Sequence, residues 1–168
     1  MIIVDIGSLS NKYAVRRMTS ADIDMIYAFC LKNTVYYEYC GESITKDVIK
    51  DDLVVAPPGI PSSQKYYIGF FDGDSLVAVM DLIDGYPETN DAFIGFFMMS
   101  VDYQGKNIGS SIISEVRDTL KGFGCVRCRL GIDKDNPQSN HFWMKNGFEI
   151  IKEVHHDRGC ILVAERIL

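Results

Sequence analysis

The feature that most restricts the fold of this chain is the run "FFMMSVDYQGKNIGSSIISEV", residues 96 to 116. It begins as an unbroken apolar segment, passes through a polar turn containing Gly105, and resumes with apolar residues at helical spacing. An apolar run without polar alternation suits a central strand whose sheet is covered on both faces. From Gly109 onward, Ile112, Ile113, Val116, Leu120 and Phe123 fall on one helical face and Glu115, Arg117, Asp118 and Lys121 on the other, so a helix is predicted with the first set toward the core. A glycine-bearing turn between strand and helix exposes unpaired backbone N–H groups beside the positive end of the helix dipole. Such a place binds phosphate. The familiar nucleotide motifs are absent: there is no G-x-G-x-x-G, and Gly105-Lys106 is followed by Asn107, which breaks the G-K-[ST] ending of a P-loop.

The rest of the chain reads as a mixed series of strands and helices. "KYAVRRM" is a first strand, and Thr19 with Asp22 forms a capping box ahead of a helix. That helix carries Ile23, Ile26, Tyr27, Cys30 and Leu31 on one face and ends at Asn33. A second helix is expected over about 44–53, followed by the proline-rich loop "VVAPPGIPSSQ". "KYYIGFF" and "LVAVMDLI" flank Asp72-Gly73 as a β-hairpin, and "DGYPETND" loops on to the central strand "AFIGFFMMS". Gly122 and Gly124 stop the long helix, and "VRCRLGI" is the next strand. "NPQSNHFWMKN" is a short helix with Pro137 in its first turn and Asn146-Gly147 at its end. "FEIIKEV" and "CILVAERIL" close the chain around the turn "HHDRG", where His155 and His156 are expected to be exposed. No repeat or linker interrupts this order, so a single domain is expected over 1–168.

Composition excludes several classes. A chain of 168 residues, 47% hydrophobic and 24% charged, has an ordinary globular balance. A net charge of -6 without a Lys/Arg cluster argues against a nucleic-acid partner and suits cationic small molecules. No apolar segment approaches the ~20 residues that span a bilayer, and "MIIV" at the start has neither the basic region nor the apolar core of a signal peptide, so no membrane partner and a cytoplasmic location are expected. The five cysteines are odd in number and scattered, which is no disulfide framework. Cys125 and Cys128 form a C-x-x-C, the spacing of a redox pair or of half a zinc site. On a strand they point to opposite faces, and no second pair accompanies them, so structural thiols and no metal are expected.

Two motifs carry a resemblance. "FMMSVDYQGKNIGSSII" resembles the acetyl-CoA-binding motif of the GNAT superfamily of N-acetyltransferases, Q/R-x-x-G-x-G/A after the fourth strand. Gln104, Ile108 and Gly109 match it, and Asn107 stands where the middle glycine is usual. "NPQSNHFWMKNGF", residues 136 to 148, is similar to the family's second characteristic segment, a short helix ending in G-F. The resemblance extends over nearly the whole chain. It implies an α/β (α+β) fold with a central, mixed, mostly antiparallel twisted sheet of about six to seven strands flanked by about four helices.

The resemblance also implies acetyl-CoA as cosubstrate, with no metal. Backbone N–H groups of Gln104, Gly105, Lys106, Asn107, Ile108, Gly109 and Ser110 are then expected to hold the pyrophosphate. Pantetheine is expected along Phe97, Met98 and Met99, with Asn136, Phe142 and Trp143 completing the site. A bulky residue at Gly109 is expected to impair cofactor binding far more than folding. The expected reaction is acetyl transfer to the primary amine of a small molecule by direct attack on the thioester, the N–H of Met99 facing the carbonyl oxygen. Trp143 occupies the position where many members carry a tyrosine, and an indole N–H does not usefully deliver a proton. His141 is the candidate acid and Asp81 the candidate base. By family analogy the acceptor is expected against "NTVYYEYCGE", where Tyr36, Tyr37 and Tyr39 offer flat walls, with Asp81 and Tyr86 beside them. A protein N-terminal or lysine acetyltransferase and a non-catalytic acyl-CoA sensor are the alternative readings, and a homodimer is the assembly considered.

Overall fold

The computed structural model describes residues 5–168; "MIIV", on which the signal-peptide reading rests, lies outside the described residues. Seven strands build one sheet: Ala14–Arg17 (β1), Lys65–Asp72 (β2), Ser75–Asp84 (β3), Asp91–Met99 (β4), Arg127–Asp133 (β5), Glu149–His156 (β6) and Gly159–Ile167 (β7). Their order is β1-β2-β3-β4-β5-β7-β6, and every adjacent pair is antiparallel except β4 and β5. Helices Ile23–Leu31 (α1), Thr34–Cys40 (α2) and Lys46–Asp52 (α3) belong to one face, where Ile26, Cys30 and Ile49 pack with Tyr67, Val79 and Met98. Helices Ile108–Gly122 (α4) and Pro137–Lys145 (α5) cover the other, where Ile112, Ile113, Val116 and Trp143 pack with Ile68, Phe70 and Met80. Among the described residues no helix is long and apolar enough to cross a membrane.

The local signals act as their chemistry requires. Asp72 pairs with Ser75 around a two-residue turn whose first residue, Gly73, takes φ +56°. Thr19 and Asp22 form the reciprocal capping box, here on a 3-10 turn that leads into α1. Asn136 caps α5 by accepting from the Ser139 N–H at 3.1 Å, with Pro137 in the first turn.

Other expectations are corrected. The segment "NTVYYEYCGE", given no element of its own from the sequence, contains α2, which has no fully buried residue and no side-chain N-cap, so no periodic signal marks it. Leu31 is 51% exposed and Phe123 38%, because each stands at the very end of its helix, past the last turn that meets the sheet. Cys125 precedes β5, so the alternation argument does not apply, and both Cys125 and Cys128 enter the same core. Burial pushes both thiols up, the opposite of what a reactive thiolate needs.

Candidate active site

The site begins where two strands part. β4 pairs with β5 only from Asp91↔Arg127 to Ile94↔Leu130, although β4 continues to Met99. β5 spends its other edge on β7, pairing from Arg127↔Ile167 to Asp133↔Ile161. The start of the parallel pair is pinned by Arg127, whose guanidinium donates to both oxygens of the buried Asp91 carboxylate at 2.7–3.1 Å. Just past the pair, β4 bulges against β3, and Gly95 lies at the bulge, where a Cβ would stand 2.8 Å from Asp81 Oδ2. The Ser100 N–H donates to Val77 O on the β3 side. By the alternation of an antiparallel ladder, Phe97 and Met99 therefore turn their N–H and C=O groups away from β3, into the gap. Met99 O is met there by the Gln104 side-chain amide at 3.1 Å.

The turn after β4 opens a second set of donors. Gly105 has φ +71° and Asn107 φ +60°, so both are left-handed, and Asn107 is the only non-glycine residue of that kind among those described. Asn107 is the N-cap of α4, yet its side chain makes no capping bond; Oδ1 accepts instead from Lys145 Nζ at 2.9 Å. The first helical bond is from the Ser111 N–H to Asn107 O. The N–H groups of Ile108, Gly109 and Ser110 are thus left facing outward, at the positive end of a 15-residue helix. Gly109 allows the close approach of neighbours here: a Cβ would lie 3.2 Å from Phe142 and 3.3 Å from Met99.

Both sets of donors face one cavity of about 670 Å³. Phe97, Met98 and Met99 line it from β4, and Gln104, Gly105, Asn107, Ile108, Gly109 and Ser110 line it from the turn and α4. Asn136, Phe142 and Trp143 line it from the α5 segment, so the structure brings nearly all the expected cofactor residues together. Lys106 is the exception. Its side chain reaches back to Asp102 O at 2.9 Å and lines a neighbouring cavity of about 260 Å³ with Lys12 and Glu115. Trp143 is 7% exposed and packs edge-on against Phe142 and Phe148 at ring distances of 4.9 and 5.1 Å, while Phe142 stacks on Phe97. The tryptophan is therefore as much a core residue as a wall.

Sequence reasoning missed the opposite wall. Asn33, 6% exposed, donates to Phe29 O and accepts from Gln104 Nε2 at 2.8 Å, tying the α1–α2 junction to the turn. Lys32 and Lys145 also line the cavity, and no carboxylate does among the described residues. The chain is acidic overall, but this cavity is locally positive and suits an anion.

The expected chemical and acceptor residues are placed differently. Only Tyr36 and Met99 line the cavity; Asp81, His141, Tyr37, Tyr39 and Tyr86 do not. Asp81 Oδ2 is held by Lys65 at 2.6 Å. Tyr37 packs beside Tyr36 and Cys30, Tyr39 is 41% exposed, and His141 is exposed on the outer side of α5. Tyr86 packs edge-on against Phe93, at the far end of β4 from the turn.

Outward-turned strand amides and a helix N-terminus thus meet at one cavity where the parallel pair parts, and similarity to known proteins gives the class as an N-acetyltransferase. The chain belongs to the Acetyltransferase (GNAT) family, whose profile matches residues 32–148. It is 22% identical over 124 residues to a spermidine N(1)-acetyltransferase of Thermoplasma acidophilum, an alignment covering 74% of this chain and 73% of that protein. Among solved structures it is similar to an acetyltransferase from Thermus thermophilus, with a TM-score of 0.75, 22% identity and full coverage of both chains. It is also similar to the PaiA N-acetyltransferase of Thermoplasma acidophilum in complex with coenzyme A, with a TM-score of 0.67, 17% identity, and 93% of this chain and 99% of that one covered.

Proposed function

We propose that this protein transfers an acetyl group from acetyl-CoA to a primary amine of a small molecule, by direct attack of the amine. The observation that carries this reading is the convergence, in one cavity lined by no carboxylate among the described residues, of the first N–H groups of α4 and the outward N–H groups of Phe97 and Met99. Bound acetyl-CoA would supply a thioester whose carbonyl the amine attacks. Gly105, Asn107, Ile108, Gly109 and Ser110 would hold its diphosphate, with Lys145 adding positive charge at the rim. Phe97 and Met99 offer backbone partners in strand geometry, and the N–H of Met99 would donate to the thioester carbonyl oxygen. Phe142 and Trp143 close one side against water.

Tyr36 stands on the wall nearest α2, and burial pushes its phenol well above the ordinary value, so at neutral pH it is a hydrogen-bond donor and not a base. The similarity to a protein named as a spermidine N(1)-acetyltransferase supports polyamines as the first acceptors to try. Release of free thiol from acetyl-CoA is the measurement, with spermidine, amino sugars, amino acids and peptides as acceptors. Turnover of small amines is expected. Turnover of peptides alone would replace this reading with a protein acetyltransferase, and tight coenzyme A binding without any turnover with a sensor.

Asn107 offers a finer test. A left-handed asparagine is less unfavourable than other side chains but still strained, by about 1 kcal/mol. Asn107→Gly relieves that strain and gives up only the exposed contact with Lys145. Because the fold carries that strain whether or not the cosubstrate is bound, the variant is expected to be more stable by up to about 1 kcal/mol in thermal melting, with coenzyme A affinity unchanged in calorimetry. Weaker binding would show that Asn107 holds Lys145 in place for the ligand.

A further inference from the structure

β6 and β7 end the sheet as a hairpin, and one face of it carries three side chains of the types that bind thiophilic metals. His155 and Cys160 oppose each other across the hairpin, and Glu153, two residues before His155 on the same strand, shares their face. One ligand atom of each lies within 4.8 Å of the other two. Cys160 Sγ is 3.5 Å from Glu153 Oε2, and His155 Nε2 is 3.9 Å from the same oxygen.

A tetrahedral zinc ion, with bonds of ~2.3 Å to sulfur and ~2.0–2.2 Å to nitrogen and oxygen, sets its ligand atoms roughly 3.3–3.6 Å apart. The sulfur and oxygen already have that separation. The imidazole must approach the carboxylate by roughly half an ångström and swing toward the sulfur, which an exposed ring does by rotation about its own side-chain bonds.

We propose that Glu153, His155 and Cys160 form a surface site for a thiophilic divalent cation of the zinc and cadmium class, its fourth position open to water. Thiolate with imidazole selects such ions over magnesium and calcium, which require oxygen ligands. The spot already attracts positive charge: Lys134 Nζ lies 2.9 and 3.0 Å from the two Glu153 oxygens. This exposed ammonium is the competitor that a metal displaces, and an exposed ion pair yields easily. The backbone N–H of Lys134 also donates to Cys160 O at 3.0 Å, so the site abuts the connection that leads to Asn136 in the cavity.

The test is a titration of the full chain with cadmium, without coenzyme A, read as thiolate-to-metal charge-transfer absorbance and followed by displacement with zinc. One equivalent is expected to saturate the band. Cys160→Ser is expected to remove it, and His155→Ala to weaken binding by more than the ~10-fold that loss of even an outer partner of a ligand causes. Lys134→Gln, which removes the competing ammonium, is expected to tighten binding. Cys40→Ser, changing the other half-exposed thiol, leaves the band unchanged. All four side chains lie at or near the surface, and thermal melting without metal confirms that the variants fold. Absence of a band at one equivalent, its survival at full affinity in His155→Ala, or its loss in Cys40→Ser overturns the proposal.

Discussion

Ser110→Asp is expected to leave the protein at least as stable as before while weakening coenzyme A binding by about a hundredfold. Ser110 is the third residue of α4, and a carboxylate in a first helical turn complements the dipole by ~0.3–1 kcal/mol. The Asn146 side-chain amide, which donates to Ser110 Oγ at 3.1 Å, has an acceptor in the variant as well. The same carboxylate stands where the diphosphate is proposed to sit. Two unit charges ~4 Å apart repel by ~4 kcal/mol at an effective dielectric constant of ~20, and salt screening brings this toward ~3 kcal/mol, which is the hundredfold. Stability and affinity thus move in opposite directions, a pattern that general damage to the fold does not produce. Melting and calorimetry on the same preparation measure both, and undiminished affinity would remove the diphosphate from this turn.

The expectation for Gly109 is revised on the same ground. Its Cβ would press on Phe142 and Met99, inside the core that joins α4 to α5. Overpacking there costs about 1–3 kcal/mol, so a bulky residue lowers stability and binding together and separates nothing.

The second large effect lies outside the cavity. Lys65→Ala is expected to destabilise the fold by ~3–5 kcal/mol at neutral pH, because removing one partner of a buried ion pair strands the other. The Lys65 side chain is 4% exposed and that of Asp81 14%, and Asp81 Oδ1 has no hydrogen-bond partner among the described residues. Burial holds the Asp81 carboxyl above the ordinary carboxylate value, with Lys65 pulling it part of the way back. A folded value above the unfolded one means that the fold binds the proton more tightly, so stability falls as pH rises from the unfolded value through the folded value. Deleting Lys65 raises the folded value further. The deficit of the variant is therefore expected to be small in acid, where Asp81 is protonated in both states, and to grow toward neutral pH. Urea unfolding at the two pH values measures it, and an equal deficit at both would refute the charge explanation. Lys65→Met combined with Asp81→Asn is expected to recover most of the loss.

Local chemistry made part of this molecule legible in its residues. The apolar run, the glycine-bearing turn and the periodic helix of 96–116 are neighbours in the chain, and so are the capped helix and its Asn146-Gly147 stop. Each is encoded by side chains a few positions apart, so strand, glycine-bearing turn and family are legible without any long-range contact. Other features depend on partners far away. β4 and β5 stay paired only from Asp91↔Arg127 to Ile94↔Leu130 although both strands run on, and no residue of β4 announces that. Asn33 meets Gln104 across 71 positions. Tyr36 reaches the cavity while Tyr37 and Tyr39 do not, because a seven-residue helix separates their directions, and Asp81 turns to Lys65. Periodicity assigns faces within one element, whereas a cavity is made where the ends of several elements converge. The sequence alone determined most of the elements and the glycine-bearing turn; only the tertiary structure decided which side chains share the space beside that turn, since that rests on contacts between residues distant in the chain.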